Sequence, residues 1–131
     1  MATLAFRESE QVAFQFEALN QPQELPLRSL ATCHTSRFTA WRGRSGRRYV
    51  ASSFKVSDSD ALSFADSVLI AVGPDRGIIS VRDAGPWGLE AAVARWRDEV
   101  VAAGAREIHV HLIAATPDDR RKAVADLTPV H

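Results

Sequence analysis

Along residues 107–113 the chain alternates, with Ile108, Val110 and Leu112 on one side and Glu107, His109, His111 and Ile113 on the other, the period-two signature of a strand. Val68 to Val72 is a continuous apolar run of strand length. The turn-forming Gly73-Pro74-Asp75-Arg76-Gly77 and a second apolar run, Ile78 to Val81, follow it, so a hairpin is expected. A further hairpin is expected from Arg37–Trp41 and Arg47–Val56, joined by Arg42-Gly43-Arg44-Ser45-Gly46, with Gly43 and Gly46 supplying positive φ. In its second strand Val50, Phe54 and Val56 share a face with Arg48 and Ser52, while Tyr49, Ala51, Ser53 and Lys55 take the other.

From about Gly88 to Ala103 the period lengthens. Leu89, Val93, Trp96, Val100 and Ala103 fall at helical spacing, with Gly104 placed as a left-handed stop. Thr116-Pro117-Asp118-Asp119 combines a hydroxyl cap, proline in the first turn and acids where the helix dipole favours them, opening a helix to about Leu127. Ser57 to Ser63 suits a turn or a short helical crossing. Gln11 to Leu19 alternates as a half-buried strand, with a helix from Ser9 as the competing reading, and the Pro/Gln-rich stretch near 20–35 is expected to be a loop or linker. The order ββββαβα, with a possible extra N-terminal strand, predicts one α+β domain over 1–131. It would be a mainly antiparallel sheet of five or six strands with two helices on one face.

The composition is that of a globular domain, 46% hydrophobic and 24% charged, long enough to bury a core without disulfides. Cys33 is the single cysteine, which suits a reducing compartment. No basic leader followed by an apolar stretch is evident, and no apolar run approaches the roughly 20 residues that span a bilayer, so a cytoplasmic protein without membrane contact is expected.

Charge distribution changes the picture more. From Leu25 to Ser57 there is no Asp or Glu, yet Arg28, Arg37, Arg42, Arg44, Arg47, Arg48 and Lys55 lie there, so a +7 segment sits in a chain whose remainder carries −7. The hairpin holds most of this charge. Its aromatics Trp41 and Tyr49 alternate with Arg42, Arg44, Arg47 and Arg48, a combination that can stack bases beside guanidinium–phosphate contacts or face an acidic protein surface. The zero net charge removes the global basic field that many nucleic-acid binders use.

His109 and His111 stand two apart on a strand, hence on one face, where two imidazoles can begin a metal or acid–base site. Catalytic zinc typically takes three protein ligands, and no third is fixed by spacing, which favours two structural histidines. Asp83-Ala84-Gly85-Pro86-Trp87-Gly88 lacks a phosphate-loop or dinucleotide pattern and suits a plain strand-to-helix turn with Trp87 packed on the core. No motif specifies a cofactor, and none is expected. These features point to a non-enzymatic module that binds an acidic protein surface or its own copy through the arginine hairpin or a sheet edge. Nucleic-acid binding by the same hairpin and a hydrolase or metal site around His109 and His111 are the alternatives.

Overall fold

The computed structural model describes residues 21–25 and 38–130. The expected strand or helix at 11–19 lies outside them. Among the described residues six strands form one antiparallel sheet: β1 (Gln23–Leu25), β2 (Phe38–Arg42), β3 (Arg48–Lys55), β4 (Val68–Val72), β5 (Ile78–Asp83) and β6 (Glu107–His111), in the spatial order β1-β2-β3-β6-β4-β5. Helix α1 (Glu90–Ala102) connects β5 to β6, and α2 (Pro117–Leu127) closes the described chain. The α+β fold is as the sequence predicts, and the order of elements from β2 onward follows the expected ββββαβα.

Local chemistry accounts for the boundaries. Thr116 accepts a hydrogen bond from the Asp119 amide at 3.0 Å, with Pro117 in the first turn of α2. Gly104, at φ 102°, ends α1 while the Ala105 amide returns to the Val100 carbonyl at 2.9 Å. Asp58 caps a 3-10 turn at Ser59–Ser63 by accepting from the Asp60 amide. Helix α1 starts at Glu90 rather than near Gly88, and Leu89 and Trp87 stay exposed, Trp87 at 71%. The expected packing of Trp87 on the core is therefore not found. The Gly85 amide bonds to Asp83 and the Gly88 amide to Glu90, which ties the turn down without a buried indole.

The expected loop near 20–35 contains a strand. Gln23, Glu24 and Leu25 pair with Arg42, Trp41 and Ala40, which is compatible with the flanking Pro22 and Pro26 because β1 is an edge strand.

The helices cover opposite faces of the sheet, not the single face expected. Val93, Trp96 and Val100 of α1 pack with Leu69, Ala71, Ile108 and Val110. Ala123 and Leu127 of α2 pack on the other side with Val68, Ile70, Val72, Trp41 and Tyr49. All five β4 residues are consequently buried. A third device fixes α2: Arg120, 4% exposed, bonds to Asp83 at 3.1 Å and to the carbonyls of Ala114 and Ala115, and lies 3.5 Å from Asp66.

Trp96 fills the α1 core, and its indole N–H donates to Ser80 Oγ at 3.0 Å. Trp96→Ala should destabilise the protein by about 3–5 kcal/mol in denaturant titration, the cost of a core cavity. A midpoint unchanged from wild type would mean that this face of α1 does not carry the fold.

Candidate functional site

The arginine hairpin forms where expected, but its glycines have different tasks. Gly46 supplies positive φ at 92°. Gly43 is needed for space: a side chain there would collide with the Asp126 carboxylate. The loop is fastened to α2 through that residue. Asp126 accepts from the Ser45 amide at 2.7 Å, the Ser45 hydroxyl at 2.6 Å and the Tyr49 hydroxyl at 2.8 Å. The Arg44 amide bonds to the Asp126 carbonyl at 3.0 Å and its guanidinium to the Ala125 carbonyl at 2.6 Å.

This anchoring sorts the candidate binding residues. Arg42 is half-buried and donates to Gln23 at 3.0 Å, and Arg44 is half-buried against α2. Arg47 and Arg48 are exposed. Among the described residues none of the four arginines forms an ion pair. Trp41 and Tyr49, expected as stacking groups, are buried at 1% and 5% because both point into the α2 core. They offer no face to a base. Beside Arg47 and Arg48 a hollow of about 290 Å³ is lined by Val50, His111 and Ile113, with Ile113 73% exposed.

His109 and His111 do share a face, as the strand period requires, but their nitrogens go to separate partners. The Trp41 indole donates to His109 Nδ1 at 2.8 Å. An indole N–H can only donate, so Nδ1 is the acceptor and the ring proton sits on Nε2, which donates to Glu107 at 2.9 Å. Burial outweighs the pull of Glu107 and lowers the His109 pKa, so the ring is neutral. His111 Nδ1 lies 2.7 Å from the Val50 carbonyl, to which it donates, and the ring stacks edge-on with Tyr49. Both nitrogens of His109 are thus engaged, and among the described residues no group of three His, Cys, Asp or Glu side chains is arranged to hold a metal.

The network continues beyond His109 through residues that the sequence did not single out. Glu107 also accepts from Ser53 at 2.9 Å and from Arg76 at 2.5 Å. Arg76 in turn forks onto both oxygens of Glu24, whose Oε2 accepts from Thr39 at 2.9 Å. Burial pushes the Glu107 carboxyl up, but hydrogen bonds from His109, Arg76 and Ser53, with the Arg76 charge, overcome this and hold it at about 2. Separation along the chain hid this group, since Glu24 and Arg76 stand 52 residues apart.

In comparisons with known proteins, no family model, no curated protein and no solved structure matches the chain.

Tyr49 is the single tyrosine of the chain, so phenolate absorbance reads it alone. Burial, then the Asp126 hydrogen bond and charge, push its pKa up from 10.0 to about 12. A raised acid pKa stabilises the fold fully below pH 10.0 and loses that contribution as pH climbs towards about 12. Asp126→Asn should bring the midpoint of the folded protein's phenolate titration down; an unchanged midpoint would show that Asp126 does not control the hydroxyl.

Proposed function

We propose that the protein is a non-enzymatic binding module whose arginine hairpin docks on an acidic protein surface. The observation that carries this reading is the use of Asp126: the carboxylate beside the loop is occupied by Ser45 and Tyr49, while Arg47 and Arg48 project exposed from a fixed backbone. A loop already held in place loses little conformational entropy when it binds, so its charge is available at low cost.

The surroundings favour protein over nucleic acid. Val50 and Ile113 add exposed apolar surface to the two guanidinium groups, the mixture of arginine and apolar contact that protein interfaces use. The aromatic platforms that single strands need are turned inward at Trp41 and Tyr49. A second copy of the chain is one acidic surface of the required kind, since the residues outside 25–57 carry −7.

A labelled poly-glutamate peptide serves as the acidic probe, with a single-stranded RNA of equal charge beside it and sedimentation velocity reading self-association. At low ionic strength the peptide should bind, weaken as salt is added, and lose about fivefold or more in affinity in an Arg47→Glu, Arg48→Glu variant, as expected for exposed charge pairs. Concentration-dependent dimers that disappear in the same variant would identify the second copy as partner. RNA binding tighter than peptide binding would replace this reading with nucleic-acid binding, and indifference of both probes to the variant would remove the hairpin from function.

A further inference from the structure

The far end of β3 carries a second feature that does not depend on the hairpin. Arg48 opens the strand and Lys55 closes it, so the two ends lie about 23 Å apart at roughly 3.3 Å per residue. At the Lys55 end a cleft of about 800 Å³ opens between β3, the turn joining β4 to β5, and the start of β6. Its polar wall is Ser53, Glu107 and Arg76, the outer part of the His109 network. Its apolar wall includes Phe54, Val56 and Pro74, and Lys55 and Arg106 stand exposed at its margin.

The charge bookkeeping of this cleft is uneven. Lys55 is the cross-strand partner of Glu107, the acid that would ordinarily neutralise it. That carboxylate is already taken: Oε1 by Ser53 and His109, Oε2 by Arg76. Asp58, the remaining acid of the lining, accepts from the Asp60 amide as a helix cap. Among the described residues neither Lys55 nor Arg106 forms an ion pair. Arg76 adds a third cation, its side chain 47% exposed despite its bonds to Glu24 and Glu107.

From the two cations without an ion-pair partner and the apolar wall together, we infer that this cleft binds a small organic anion, a phosphate or carboxylate head on an apolar body. The head sits at the cleft margin that Lys55 and Arg106 both line, where charge-assisted hydrogen bonds are available. The body lies along exposed Pro74 and the outer parts of Phe54 and Val56, which are half-buried against the α1 core; a bare oxyanion would leave this apolar surface uncovered. Glu107 stays ionised throughout, so a ligand whose anionic head is aimed at the Ser53 wall is repelled; orientation is thereby set.

Phenyl phosphate, benzoate and inorganic phosphate are the probes, titrated against the whole chain with backbone amide resonances as readout. Phenyl phosphate or benzoate should move the resonances of Lys55, Val56 and Arg106 saturably, and bind about tenfold more tightly than inorganic phosphate. Whichever aromatic probe binds more tightly identifies the head. A Lys55→Ala, Arg106→Ala variant changes exposed side chains only and should keep the wild-type melting profile while losing the binding by about tenfold or more. Arg47→Ala, Arg48→Ala should leave binding unchanged. Absence of saturable shifts at ~10 mM probe, corresponding to negligible affinity, would overturn the inference. So would binding that survives the double variant at the cleft, equal affinity for inorganic and phenyl phosphate, or shifts confined to the hairpin.

Discussion

Arg76 holds the inner face of the sheet together. It reaches from the β4–β5 turn to Glu24 on the opposite edge strand and to Glu107 on β6, so distant parts of a curled sheet meet on one guanidinium. Without that positive charge the two carboxylates would lose the cation they share, which disfavours having both ionised. With it Glu107 remains an anion and accepts from His109 Nε2, and the other nitrogen of the ring is left as an acceptor that the Trp41 indole satisfies. The tautomer of a fully buried histidine is thus set by Trp41 on one side and Glu107 on the other, with Arg76 holding the Glu107 carboxylate in place. Arg76 occupies this post at φ 63°, a left-handed conformation that costs a non-glycine residue on the order of 1 kcal/mol. Its hydrogen bonds to two carboxylates offset that cost.

Much of the architecture was legible because it depends on local periodicity. The alternation at 107–113, the apolar run at 68–72 and the Thr116-Pro117 cap each reflect one element and its immediate neighbours. The face covered by each helix was not legible from the helices, since a stripe such as Val93, Trp96 and Val100 fits either side of a sheet. The clue lay in β4: five consecutive buried residues without alternation require cover on both faces. Edge strand β1, only three residues long and bracketed by prolines, gave no periodicity to read.

The candidate sites divide along the same line. The arginine hairpin was visible as a run of charge, but which residues face outward depends on Asp126, which meets Tyr49 across 77 residues. That contact turns Tyr49 inward and leaves Arg47 and Arg48 outside. His109 and His111 were correctly placed on one face by the strand period, yet their hydrogen-bond partners come from β2 and β3 and from Glu107 on their own strand. Buried Arg120 shows the limit most plainly: on a helix rich in charge it reads as solvated, and only the folded chain brings Asp66, Asp83 and two carbonyls around it.

The position of β6 in the sheet has a consequence for the order in which the molecule can be assembled. It lies between β3 and β4, although the chain reaches it after all five other strands and a helix. Until residue 107 has been synthesised, the described chain contains two antiparallel units, β1-β2-β3 and β4-β5, with no strand to join them and an open edge on each. Neither unit can complete its core, because Ile108 and Val110 belong to one side and His109 to the other. On the ribosome this is a protein that closes late, by insertion of a central strand, and its two unfinished edges need protection from foreign strands during that interval.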